Sequence, residues 1–228
     1  QGQSVVVEFL KSTLPEGLRR RLDVADFGTP VQTVTTFQTG DRVRMVMQVV
    51  TADLQMAGAR YWNSGNQNQA FSLPLPPLSG SNMGPKDTLT LYYVTSLRDL
   101  ASACRRVDYG FEGDTLRRSD VNATPSSGSD CTTPPPNSQP LAEGMLALDI
   151  QYQCSDGSRK DTPDCGTDAY PRSAKVTVAG YSLTSVTNPG PASLTTVTGK
   201  TLACPQGRAC YALTQEVLMP NLKPLPTP

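Results

Sequence analysis

The chain has 228 residues, 20 basic and 20 acidic, and no histidine. A formal net charge of zero with scattered lysines and arginines leaves no basic footprint for nucleic acid. The lack of histidine excludes catalytic systems in which histidine activates a serine or cysteine, and no apolar run of about 18 residues is present to span a bilayer. The 18 glycines and 20 prolines are typical of short strands joined by long turns.

The first 35 residues give mixed signals, and we treat 1–35 as a segment of uncertain structure ahead of a globular domain at 36–228. Residues Ser4–Leu10 are predicted to form a strand, and Leu14–Leu22 a short helix or turn. Asp23–Val34 is predicted to form a second strand after a turn. The helical pattern that follows could also extend back to Val31.

A helix is predicted over about residues 40–58. Apolar residues recur there at helical spacing, so that one face is expected to pack on a sheet: Val43, Met47, Val50 and Leu54, with Gly58 at the end. Thr39 or Asp41 could cap the start, and Gly58 is a natural terminator. Tyr61 and Trp62 would then begin the crossing to the strands.

The rest of the chain is predicted to form short antiparallel strands. Asp87–Ser96 alternates with Leu89, Leu91 and Tyr93 on one face, and Val107–Leu116 is typical of a hairpin turning at Glu112–Asp114. Further strands are predicted at 145–153, 173–183 and 209–218, whereas the Pro-rich segments 73–85 and 122–139 are predicted to be loops. The fold class is therefore α+β: an N-terminal amphipathic helix packed on an antiparallel sheet with long loops.

Six cysteines indicate disulfides and an oxidising compartment, because their spacing fits no zinc or redox motif. Sequence neighbours give the simplest pairing, although many others are possible. That pairing is Cys104–Cys131, Cys154–Cys165 and Cys204–Cys210, of which the short last loop is the firmest.

No catalytic, metal or cofactor site is predicted. There is no phosphate-binding P-loop motif. The aspartate-rich loop Ser155–Asp168 could in principle hold Ca²⁺, but it lacks the required register and contains Arg159 and Lys160. We interpret it as a solvated, disulfide-closed loop, and the whole chain as a structural or binding module rather than an enzyme.

Four blocks in succession resemble PilW/PulJ-type minor pilins of type IV pili and type II secretion pseudopili, over about residues 43–228. The helix end contains Asp53-Leu54 and Ala57-Gly58, and a hairpin follows with the pattern Tyr109-x-Phe-x-Gly-x-x-Leu-x-Arg118. Then come a Leu-x-Glu-Gly turn leading into a strand, at 141–152, and a closing strand pair with an Asn-Leu tail, at 173–222. This resemblance implies a pilin-like fold whose N-terminal helix, extended by an apolar half, anchors the subunit. Because no apolar stretch precedes residue 41, we expect the anchor to have been removed.

Residues 5–47 also resemble half of an AMIN domain, the periplasmic module of type IV pilus secretins (PilQ), with its core at Leu14–Gln32. Both resemblances claim residues 41–47. The helical pattern continues to Leu54, so we assign the overlap to the helix.

The resemblance to minor pilins implies a subunit that takes part in the assembly, or in the tip or priming complex, of a pilus or pseudopilus. The resemblance implies other minor pilins and the major pilin as partners, with a tip adhesin or DNA as further candidates. It implies membrane contact only through the missing helix, and a location that is first inner-membrane-anchored and then periplasmic or extracellular. The alternative is a secretin-associated module that binds peptidoglycan or a lipoprotein.

Overall fold

The computed structural model describes residues 30–60, 71–95, 100–128 and 130–224. The strand predicted at Ser4–Leu10, the helix or turn at Leu14–Leu22, and the Tyr61-Trp62 pair lie outside these residues. From Thr35 onward the described residues form one compact unit.

A long helix, α1, spans Pro30–Met56. It begins at Pro30, next to the alternative start at Val31, rather than near residue 40. The strand predicted at Asp23–Val34 is therefore wrong over residues 30–34, the rest of it lying outside the described residues, and the caps at Thr39 or Asp41 are wrong as well. Pro30 suits the first helical position because a helix leaves that N–H unbonded in any case. Gly40 lies inside the helix at a cost of about 1 kcal/mol.

The predicted end of the helix is confirmed, since α1 stops at Met56 and Gly58 adopts a φ of 77°.

Two antiparallel sheets and a small two-stranded arm follow the helix. The five-stranded sheet has the order β1-β2-β3-β4-β5, with strands at Leu78–Ser81, Thr88–Val94, Cys104–Glu112, Thr115–Asn122 and Gln139–Ala142. The four-stranded sheet has the order β11-β8-β6-β7, with β6 at Met145–Cys154, β7 at Arg159–Lys160, β8 at Pro171–Tyr181 and β11 at Cys210–Leu218. The arm pairs β9, Ser193–Thr195, with β10, Thr201–Ala203, and short 3₁₀ turns lie at Leu100–Ser102 and Pro220–Leu222.

A short bridge at Leu148 is one of the points where the two sheets meet. Asp87 N donates to Leu148 O at 2.9 Å, and Leu148 N donates to Pro85 O at 3.0 Å. The predicted α+β class is confirmed, but the single expected sheet is divided into two, and the Pro-rich stretch expected to be a loop contains β1.

The main core lies between α1 and both sheets. The helix contributes a completely or almost completely buried stripe: Val43, Val46, Met47, Val50, Leu54 and Ala57. Leu89 and Leu91 of β2 face this core, while Tyr92 and Val94 on the opposite face belong to a second cluster around the Cys104–Cys131 disulfide. Both faces of β2 are therefore covered, which its simple alternation did not indicate.

Candidate functional site: the seat of helix α1

The last turns of α1 carry a buried carboxylate. Asp53 is only 7% exposed, and it directly precedes the core residue Leu54. A carboxylate removed from water is unfavourable unless charged and polar partners surround it. The side chains that bind Asp53 therefore help to hold α1 against the sheet.

Two strands of the five-stranded sheet supply these partners. Arg118 of β4 donates from Nε to Asp53 Oδ2 at 2.9 Å and from Nη2 to Asp53 Oδ1 at 3.0 Å, a bidentate fork. The Tyr109 hydroxyl on β3 also donates to Asp53 Oδ2. The Arg118 guanidinium lies over the Tyr109 ring, 6.0 Å from its centroid. We call Asp53, Tyr109 and Arg118 the helix clamp.

The contacts of the clamp shift the pKa values of Arg118 and Tyr109. Burial acts to lower the pKa of Arg118, but hydrogen bonding to Asp53 and its negative charge outweigh this effect and raise the pKa above its usual range. Burial, together with the charge of Asp53, raises the pKa of Tyr109. At neutral pH the arginine is thus a cation and the tyrosine a neutral donor. Arg118 therefore binds Asp53 as a cation, and Tyr109 donates to it as a neutral hydroxyl.

The end of α1 is closed by the tail of the chain. Gly58 N donates to Tyr92 O at 2.8 Å, and a Cβ at Gly58 would stand 2.7 Å from Asn221 O. Asn221 Nδ2 in turn donates to Gln55 O at 2.9 Å, and Leu222 is buried beside it. Only glycine suits position 58, because both the positive φ and the close backbone approach exclude a side chain.

The first half of the described helix rests on a second glycine turn. The Arg42 guanidinium donates to Tyr181 O, and Tyr181 N donates to Gly144 O at 2.8 Å. Gly144 has a φ of 65°, and a Cβ there would lie 2.8 Å from Leu183 Cδ2. Burial lowers the pKa of Arg42, while the nearby Tyr181 and Glu143 oppose that shift.

A third polar cluster ties the arm to the sheet junction. Lys200 Nζ donates to Asp149 Oδ1 at 2.7 Å and to Gly84 O at 2.6 Å, and Ile150 N donates to Asp87 Oδ2 at 2.9 Å. Burial acts to raise the pKa of Asp149, but hydrogen bonds from Lys200 and neighbouring threonines lower it overall. Burial raises the pKa of Asp87 to about 6.

The residues singled out in the sequence fall into two groups. Val43, Met47, Val50 and Leu54 lie together in the main core, and Gly58 closes the helix. The cysteines lie apart from this seat in three disulfides, Cys104–Cys131, Cys154–Cys165 and Cys204–Cys210, which is the pairing of sequence neighbours.

The polar residues that contact the end of α1 were not predicted as site residues, although they belong to the sequence blocks that resemble minor pilins. Asp53, Tyr109, Arg118 and Asn221 are all letters of the blocks that resemble minor pilins. Those blocks are far apart in the chain and converge on α1. Within the described ranges, no group of three or more potential metal-ligating side chains lies together. None of the helices in those ranges is long and apolar enough to cross a membrane.

Known proteins are similar to this chain in sequence and in fold. The pilin-like protein PilA3 of Thermus thermophilus is 87% identical over 224 residues, which cover 98% of this chain and 95% of that protein. A type IV-like pilin from Thermus thermophilus has a similar fold, with a TM-score of 0.55 at 16% identity, covering 80% of this chain and 97% of that one.

The front of the chain has a second relationship. The AMIN domain model matches residues 1–61. The fimbrial assembly protein PilQ of Pseudomonas aeruginosa is 44% identical over 48 residues, which are 21% of this chain and 7% of that protein. These matches cover only the front part of the chain, whereas the PilA3 match covers almost all of it. The chain belongs to the pilin-like proteins.

Proposed function

We propose that this chain is a minor pilin of the PilW/PulJ type, acting in the assembly, tip or priming complex of a type IV pilus or pseudopilus. The observation that carries the proposal is the convergence of four separated sequence blocks on α1. The helix clamp, the Gly58–Asn221 contact and the Gly144 turn fasten one helix rigidly to both sheets. Because α1 is attached in this way, its packing in an assembly would also fix the orientation of the globular domain.

The outer face of α1 is the surface proposed to contact neighbouring subunits. It is an exposed stripe at alternating spacings of three and four residues: Gln38, Asp41, Met45, Gln48, Ala52 and Gln55. This is the spacing with which two helices pack side by side. Other minor pilins and the major pilin are the proposed partners. The proposed location is the inner membrane before assembly, and then the periplasm and the fibre. The proposal includes no catalysis.

Neither DNA nor a tip adhesin is part of the proposal. Cations of the five-stranded sheet and its edge are already paired with carboxylates, namely Lys86, Arg105, Arg106, Arg117 and Arg118. Such pairs leave little charge to neutralise phosphates.

The test is deletion of the gene and its replacement by variants of the full-length protein. Ala52→Arg places a large charged side chain on the stripe and is expected to abolish assembly, scored by electron microscopy of pili. Ala192→Arg makes the same change at an exposed alanine away from α1 and is expected to assemble normally. Unchanged pili in the deletion strain would overturn the proposal.

The AMIN match at residues 1–61 favours a second candidate, a periplasmic module that binds peptidoglycan. Co-sedimentation of the purified chain with peptidoglycan separates the two functions. Binding there, combined with normal pili in the deletion strain, would favour the second candidate.

A further inference from the structure

The two main sheets have four outer edges, and three carry features that discourage further strand pairing. β1 has four residues and follows Pro76-Pro77, while β5 contains Pro140 and pairs across a register shift. β7 consists only of Arg159–Lys160. Short length, proline, irregular register and basic residues are the means by which native sheets protect their edges.

The fourth edge, β11, lacks these features. It pairs with β8 over nine consecutive positions without a register shift, and it contains no proline, lysine or arginine. Its one charged side chain, Glu216, accepts a hydrogen bond from Ser173 Oγ at 3.2 Å. A long, regular and nearly uncharged edge is a template for another strand.

The ladder shows which backbone groups of β11 face outward. Ser182 N donates to Ala209 O at 2.8 Å, and Met219 N donates to Arg172 O at 2.9 Å. Because bonded and non-bonded pairs alternate in an antiparallel ladder, the N–H and C=O groups of every second residue point away from β8: Ala212, Thr214, Glu216 and Leu218. Within the described part of the chain these groups form no backbone hydrogen bond.

The side chains beside this edge define what fits it. Tyr211 and Leu213 lie half-buried against the main core on the helix side. On the other side Ala212 packs on the cluster that contains Leu202 of the arm, and Thr214 and Glu216 are exposed. An added strand would therefore need apolar residues toward α1 and uncharged polar residues on the opposite face.

We propose that the open edge of β11, residues 212–218, binds an extended segment of a neighbouring pilin-like subunit by strand addition. This inference rests on the proposed function. Main-chain hydrogen bonds would give the affinity, and the alternating side chains the specificity. A second copy is not the occupant, because two-fold antiparallel pairing of β11 would point the two α1 helices in opposite directions, whereas subunits of one filament share a direction.

The central variant is Thr214→Pro. It removes the outward N–H at the middle of the edge but leaves the inward bonds to β8, as proline is tolerated on an edge. Thr214→Val is the matched control, because it loses the same hydroxyl contact with Thr177 and keeps the N–H. Thr214→Lys, at this exposed position, is the second variant should the proline variant fold poorly.

The direct measurement is amide hydrogen exchange of the full chain with a capped peptide of alternating valine and threonine flanked by lysines. At millimolar peptide we expect at least tenfold slower exchange at Ala212, Glu216 and Leu218. Thr214→Val should keep this protection, and Thr214→Pro and Thr214→Lys should lose it. Unchanged exchange in the unsubstituted chain would overturn strand addition.

Pilus counts in cells separate this inference from the proposed function. Loss of pili with Thr214→Pro or Thr214→Lys but not with Thr214→Val supports the open edge as a subunit contact. Loss of pili on deletion, with normal pili in both variants, overturns the edge contact and leaves the proposed function standing. Normal pili on deletion overturns the proposed function itself.

Discussion

At the scale of single residues, removing one member of the helix clamp is expected to lower the free energy of unfolding, because its buried partners lose their hydrogen bonds. Asp53→Ala removes the acceptor of the Tyr109 hydroxyl and the bidentate partner of the partly buried Arg118, which keeps a longer contact of 3.4 Å with Asp120. We expect the free energy of unfolding to fall by about 2–4 kcal/mol, measured by urea denaturation. The control is Asp41→Ala, which breaks an exposed pair with Arg44 and should cost no more than about 0.5 kcal/mol. Equal losses in the two variants would contradict the role of the clamp.

Asp87 is expected to make the free energy of unfolding depend on pH. Its pKa is raised by burial to about 6 from 3.8, so the folded chain holds this proton more tightly than the unfolded chain. The free energy of unfolding should therefore rise as pH falls from about 7 to about 4, by roughly 1–2 kcal/mol. Asp149, whose pKa is lowered, acts in the opposite direction only below about pH 4.

The pH effect is checked by denaturation at several pH values. Asp87→Asn should flatten the rise, because the amide does not titrate. Asp168→Asn, which changes an exposed carboxylate, should leave it intact. A rise that persists in Asp87→Asn would assign the effect to another group.

At the scale of elements, the sequence predicted the strongly periodic parts of the fold best. The stripe from Val43 to Leu54 indicated a helix because its spacing matches 3.6 residues per turn. The helix start was placed near residue 40, with Val31 as the alternative, because Gly40 is a weak helix former and the packing that outweighs its preference is invisible in local sequence. β1 was missed because four residues after two prolines form a strand only by pairing with β2.

The polar contacts at the end of α1 were harder to predict for a similar reason. Asp53, Arg118 and Asn221 are separated by as many as 168 residues, which is the difference between 221 and 53. No spacing rule links them, and only the fold shows that they meet at the end of one helix.

The closure of α1 gives an element-scale prediction. Gly58→Ala should lower the free energy of unfolding by about 2–4 kcal/mol, because it combines an unfavourable positive φ with a Cβ 2.7 Å from Asn221 O. Gly84→Ala provides a matched comparison, since its φ is 73° and nothing lies within 4 Å of the added Cβ. That change should cost only about 1–2 kcal/mol. Denaturation curves of the two variants are the measurement, and equal costs would exclude the clash with the tail.

At the scale of the whole described domain, one helix covers two sheets, which are joined by the bridge at Leu148 and by further hydrogen bonds such as that from Met145 N to Asp114 O. Residues of β2, β3, β4, β6, β8 and β11 all contribute to the core beneath α1. Neither sheet can bury its apolar face without the helix, so we expect the described domain to unfold in one cooperative transition. The disulfides brace regions outside this core, and their loops differ in length and burial.

These differences predict an order of importance for the disulfides. Cys104–Cys131 spans 27 residues and lies in the second cluster, whereas Cys204–Cys210 spans 6. Closing a longer loop removes more entropy from the unfolded chain, by about 3–4 kcal/mol against about 2–3 kcal/mol. Alanine pairs should therefore reduce stability most at 104 and 131, where a buried cluster also loses contacts. Thermal unfolding of the oxidised chain and each pair variant is the measurement. A larger loss at 204 and 210 would mean that the second cluster does not depend on its cross-link.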